Sequence, residues 1–158
     1  MCQYAHLIKF YSVILNMILI NYSLFLITAA VLIYISYSDI RYRKIPNDFI
    51  IVLFFLSVTQ SLFVYKDLQI LIPVLVLIIG FVLSSMNLIG AGDVKLATVL
   101  LFSLPESSNQ LFLILVAMCG LPLAICLLIF NFVTKKNIKT VPYGVAIAAG
   151  YLGTLTLL

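Results

Sequence analysis

"LQILIPVLVLIIGFVLSSMNLIGAGDVK", residues 68–95, carries no ionised side chain from Leu68 to Gly92, and then places Asp93 and Lys95 at its end. About 20 apolar residues suffice to cross a bilayer as an α-helix, and a helix satisfies its own backbone where no water is present to do so. The stretch therefore predicts a membrane span that ends on a charge. A carboxylate at a bilayer edge is costly, so one without a structural reason marks a functional site.

The rest of the chain extends this reading. Hydrophobic residues make up 65% of the 158 and charged residues 9%, with a mean hydropathy of +1.26, which excludes an ordinary soluble domain. Further uncharged stretches run over 10–38, 49–65, 96–105, 107–134 and 140–158. The one at 96–105 is too short to span unless Asp93 and Lys95 belong to the same helix. The expected fold is all-α: a polytopic bundle of about six transmembrane helices, near 17–38, 49–65, 68–88, 92–104, 109–133 and 141–158. No long polar linker or repeat divides the chain, so 1–158 reads as a single domain. Residues 1–16 form an interfacial lead-in, with Met17 as an alternative start and no cleavable signal peptide.

Charge placement sets the expected orientation. Arg41, Arg43 and Lys44 share one loop and Lys135, Lys136 and Lys139 another, and short loops rich in Lys and Arg stay in the cytoplasm. Alternation then puts 39–48, 88–95 and 134–140 inside the cell, and 66–67 and 105–108 outside. The net charge of +4 is accounted for by these loops and the lipid bilayer they face, with no nucleic-acid partner. A multi-pass protein of the plasma (inner) membrane is expected.

Cys2, Cys119 and Cys126 form no C-x-x-C pair, and His6 is the only histidine. Neither a metal site nor any other cofactor is expected. Cys119 and Cys126 read as small apolar residues packing in a helix. Two carboxylates stand out instead. Asp39 ends the first span in "YSDIRYRKIPND" and Asp93 begins the fourth, both at the cytoplasmic boundary under this topology. Carboxylates at one depth on different helices can face each other across a bundle. A pair that shares a proton performs aspartic proteolysis: the ionised member draws a proton from water and the protonated one polarises the scissile carbonyl. Asp48 borders a span as well, but it follows Pro46 and Asn47 as a helix cap.

At these residues the chain resembles the type IV prepilin peptidases, a class of GxGD intramembrane aspartyl proteases. "GAGDVK" fits the family's G-x-G-D-x-K motif, Asp39 followed by Ile45-Pro46-Asn47 fits its aspartate-loop motif, and "VPYG" at 141–144 is similar to a softer signature in the last helix. The resemblance covers the chain from about Met17. It implies catalysis by Asp39 and Asp93, with Gly90, Gly92, Lys95, Pro46, Asn47, Pro142, Tyr143 and Gly144 lining the site or binding substrate. It also implies prepilin-like membrane proteins as substrates, cleaved after a short basic leader at the cytoplasmic membrane face. The longer bacterial members carry paired C-x-x-C motifs in an added N-terminal region and also methylate the new amine. This chain lacks those pairs and resembles the short, peptidase-only enzymes of Tad/Flp pili, so cleavage without N-methylation is expected.

Several residues keep a second reading. Asp39 could pair with Arg41 or Arg43, Asp93 could only cap its helix, and Lys95 could snorkel to lipid phosphates. Pro142, Tyr143 and Gly144 could be no more than a helix start, and Gly150 and Gly153 read as helix-packing positions. Gly90 and Gly92 leave room for a substrate strand to approach Asp93 and tolerate a tight turn. Helix direction assigns the proton: Asp93 opens a helix, which favours negative charge, and Asp39 closes one, which disfavours it, so Asp93 is expected to be the base. Outside proteolysis, the alternatives are a small transporter that relays protons or cations and a non-catalytic pilus assembly factor.

Overall fold

A computed structural model describes residues 2–66, 69–134 and 141–157, which form six α-helices and, among the described residues, no strand. They are α1 (Cys2–Tyr42), α2 (Asn47–Gln60), α3 (Leu71–Ser85), α4 (Ala91–Leu101), α5 (Glu106–Thr134) and α6 (Tyr143–Leu157), with a π-helical turn at Ser61–Tyr65 continuing α2. Asp67 and the basic cluster Lys135, Lys136 and Lys139, which the sequence reading placed in loops, lie outside the described residues.

Met17–Tyr42, Asn47–Tyr65 and Glu106–Thr134 are each long and apolar enough to cross a membrane, and α3 and α6 are shorter apolar helices. The chain is an all-α membrane protein, as its charge-free stretches require. Two boundaries differ from expectation. From Cys2 on, the expected lead-in is continuous with the first span in one helix of 41 residues. That helix is about 60 Å long, roughly twice the hydrocarbon thickness. Asp39 does not end the helix either, since α1 runs on to Tyr42.

Local chemistry explains where the helices stop at the end of the bundle that holds Asp39. Arg43 takes a left-handed φ of 52° and its N–H donates to the Asp39 carbonyl at 3.0 Å, an αL termination made without the usual glycine, at a cost on the order of 1 kcal/mol. Ser38 Oγ donates to the Lys44 carbonyl at 3.0 Å and folds the loop back on α1. Extended Pro46 (φ −66°, ψ 130°) then starts α2. At the end of α3, Asn87 takes φ 58°. Its N–H donates to Ser84 O and that of Leu88 to Leu83 O, each at 3.0 Å, a Schellman motif with Asn in the position that tolerates αL.

α4 and α6 form the centre. α4 packs on α2, α3 and α6, and α6 on α1, α4 and α5. Leu96, Leu100 and Leu101 of α4 are fully buried against Tyr151 of α6, Leu32 and Ile35 of α1, Leu53 of α2 and Phe112 of α5. Asp93 and Lys95 belong to the first turns of α4, yet at only 11 residues α4 spans about 16 Å, roughly half the hydrocarbon thickness and short of the full span expected near 92–104. Gly150 brings α6 onto α5: a Cβ there would lie 2.9 Å from the Val116 nitrogen. The outer faces remain apolar, with Phe81 72% and Phe132 88% exposed, as a lipid-facing surface requires.

Candidate active site

The end of α1, the loop into α2, the turn from α3 to α4 and the start of α6 meet at one end of the bundle around a cleft of about 690 Å³. Among the residues singled out from sequence, Asp39, Asn47, Gly90, Gly92, Asp93, Lys95 and Tyr143 line it. Pro46 and Pro142 do not; they sit just before the first residues of α2 and α6. Asp48 is also away from the cleft. It lies exposed in the first turn of α2, and Pro46 rather than Asp48 holds the capping position.

Asp39 lies one turn before the end of α1 and is only 6% exposed. Its Oδ2 accepts a hydrogen bond of 2.7 Å from the N–H of Gly144, at the start of α6. A Cβ on residue 144 would sit 2.8 Å from that oxygen and 3.2 Å from Asp39 Cβ, so the carboxylate and any side chain at 144 exclude each other. Gly144 is therefore behind Asp39 rather than on the cleft wall. The helix-end expectation gave Asp39 only the carbonyl end of α1, yet the opening turn of α6 supplies it with an N–H donor that stabilises negative charge. Arg43 is near enough to act on the same carboxylate.

Asp93 is the third residue of α4 after the capping position Gly90. Its carboxyl curls back over the helix start, as the acidic residue of a capping box does, and a Cβ on Gly90 would lie 2.6 Å from Asp93 Oδ2. Above Gly92, a Cβ would meet Ile45 Cβ at 3.3 Å. The Cβ directions of both glycines are thus occupied by the chain's own atoms, not left open for a substrate strand. They let the aspartate fold back and let α4 seat against the loop that follows Asp39. The charge of Asp39 reaches Asp93 across the cleft.

Lys95 Nζ donates to Asn47 Oδ1 at 3.3 Å, which ties the start of α4 to the start of α2 and keeps the ammonium at the cleft. Tyr143 is half-buried and lies over Gly120 of α5, where a Cβ would be 3.1 Å from its Cε1. Sequence reasoning did not single out Ile45 or Asn87 as cleft residues. Asn87 carries a usable signal, an Asn placed just past a long apolar run where a helix must stop; Ile45 carries only its place at the head of the Ile45-Pro46-Asn47 motif. Among the described residues no three His, Cys, Asp or Glu side chains are placed to hold a metal ion.

The family model described as the type IV leader peptidase family matches residues 26–125. Comparison with curated proteins and with solved structures gave no significant match. The matched segment carries Asp39, the Ile45-Pro46-Asn47 loop and Gly90 to Asp93, that is, both carboxylates and the turn that brings them together. On that match, the chain belongs to the type IV leader peptidase family and is a peptidase.

Proposed function

We propose that this protein is an aspartic endopeptidase that removes the short basic leader of prepilin-like precursors, of the Tad/Flp kind, at the cytoplasmic face of the plasma membrane. The observation that carries the reading is the convergence of Asp39 and Asp93, from different helices, on one cleft at one end of the bundle. Carboxylates within reach of each other's charge favour a state that holds one proton between them. The Gly144 N–H bond supports Asp39 as the ionised member, so Asp39 takes a proton from a water molecule and Asp93 donates one to the scissile carbonyl oxygen. The water oxygen bonds to the carbonyl carbon, and collapse of the tetrahedral species breaks the C–N bond as the amine takes the proton held by Asp39 and a hydroxyl proton returns to Asp93.

The test is co-expression with a prepilin from the same genome. Asp39→Asn and Asp93→Asn are each expected to abolish leader removal while the protein stays in the membrane, and Asp48→Asn to cleave normally. Near wild-type turnover in either of the first two would remove the dyad. The same experiment reads the product: with no C-x-x-C pair in the chain, the mass of the processed pilin should match an unmodified N-terminal amine. A product heavier by one methylene would refute that part.

A further inference from the structure

A second cavity, of about 300 Å³, opens from the aspartate cleft into the apolar part of the bundle. Its walls are Val76, Ile79, Gly80 and Leu83 of α3, Val94 and Ala97 of α4, Val116 of α5 and Ile147 of α6. The α3 residues fall at i, i+3, i+4 and i+7, one continuous helix face. α3 packs on α4 and α5 packs on α6, whereas any contact between α3 and α5 is slight, and residues of both helices line the cavity between them. The bundle wall is therefore open along a groove whose floor is α4 and α6. From Leu83 to Val76 the groove follows α3 for about 10 Å, away from the polar cleft and into the depth where lipid tails would lie. Ile89, Asp93 and Tyr143 belong to both cavities.

We propose that this groove between α3 and α5 is the docking site for the apolar, membrane-embedded segment of the peptide substrate, on the C-terminal side of the scissile bond. The inference rests on the peptidase reading above and adds where the uncleaved part of the substrate binds. A chain that passes from polar to apolar beside Asp93 touches both cavities at once, its polar part in the charged cleft and its apolar part in the groove. A lipid tail would have no reason to meet the groove at a carboxylate. The volume agrees in scale, since a cavity of ~150 Å³ holds one benzene-sized group and this one takes about two such groups. The groove therefore accepts a few side chains from one face of a helix, the remainder of which stays in lipid.

The test uses the full-length protein in membranes with an intact precursor. A photoreactive side chain at Ile79, on the groove, should crosslink to the precursor's apolar segment in an Asp39→Asn background that leaves the precursor uncut. The same group at Phe81, which is 72% exposed on the other side of α3, should crosslink to lipid only. Equal crosslinking from both positions, or lipid alone from Ile79, overturns the proposal. In the otherwise wild-type enzyme, Ala97→Phe narrows the groove and should raise KM for the precursor by about tenfold while kcat stays within about twofold. Ile79→Trp, at the rim, should act in the same direction and guards against loss of folding at the partly buried Ala97. Cleavage by both variants with wild-type KM sinks the groove alone. Failure of the wild-type enzyme to cut any prepilin sinks the peptidase reading and this inference with it.

Discussion

Gly144 shows how one absent side chain can set the state of a carboxylate. The methyl of Gly144→Ala would be built 2.8 Å from Asp39 Oδ2, so the Gly144 N–H bond and the present position of the carboxylate could not both survive. A hydrogen bond to a charged group contributes about 1.5–3 kcal/mol, and every 1.4 kcal/mol is about tenfold. Leader cleavage by Gly144→Ala is accordingly expected to fall about tenfold to a hundredfold with the protein still present in the membrane. Gly153→Ala provides the contrast, because a Cβ there meets only the flexible end of Leu115 at 3.4 Å, and turnover should change by less than about twofold. Unchanged cleavage in Gly144→Ala would show that this bond has no part in the reaction. The same bond is what the proposed mechanism uses to assign the proton to Asp93. If Asp39 is the ionised partner, the high-frequency C=O stretch of a protonated carboxyl, followed by infrared difference spectroscopy near neutral pH, should vanish in Asp93→Asn and persist in Asp39→Asn. The opposite result would restore the assignment that helix direction alone suggests. Both aspartates could be found from sequence, because a charge beside an apolar run needs a reason. Gly144 is legible too, through VPYG, but as a lining residue; that its backbone N–H bonds Asp39, 105 positions away, is carried by no side chain and could not be read.

Helix existence was legible for a simple reason: in a bilayer any long uncharged stretch must close its own hydrogen bonds. Helix faces were not. In α2, Leu53 is fully buried and Phe55 is 65% exposed, yet both are apolar, because lipid and protein core ask for the same side chains and periodicity carries no contrast. The polar residues inside the core locate the packing better. Tyr151 of α6 is fully buried, its hydroxyl 2.8 Å from Ser103 Oγ just past α4, its ring edge-to-face on Phe112 of α5 at 6.3 Å. Three elements are joined at that point, well away from the cleft residues. Tyr151→Phe removes the hydroxyl and leaves Ser103 its bond to the Leu100 carbonyl. The expected cost is about 1 kcal/mol, seen as a drop of a few degrees in the apparent Tm of detergent-solubilised protein, with cleavage by the folded enzyme unchanged. A loss of activity without a loss of Tm would mean that the α4–α6 contact is coupled to the cleft and is not merely support for it.

At the scale of the whole molecule, the Lys and Arg residues around the described helix ends divide unevenly between the two ends of the bundle. Arg41, Arg43, Lys44 and Lys95 lie at the end that holds the cleft, whereas Lys66 and Glu106 follow or begin helices at the other end. An excess of Lys and Arg in short loops marks the cytoplasmic side, so the cleft should open toward the cytoplasm, where the basic leader of the proposed precursor would lie and where anionic headgroups would hold it beside the basic loops. The orientation can be measured in a background in which Cys2, Cys119 and Cys126 are replaced, with single cysteines introduced at two exposed positions, Met86 beside the cleft and Ser107 at the opposite end. A thiol reagent that does not cross membranes should label Ser107→Cys on intact cells or spheroplasts, and Met86→Cys only after the membrane is opened. The labels test more than orientation, because the aspartates, the basic loops and the mouth of the apolar groove all lie at the Met86 end. If Met86→Cys is the one labelled from outside, a leader that remains in the cytoplasm cannot reach Asp39 or Asp93, and the dyad would have to act on a substrate presented from the other side of the membrane.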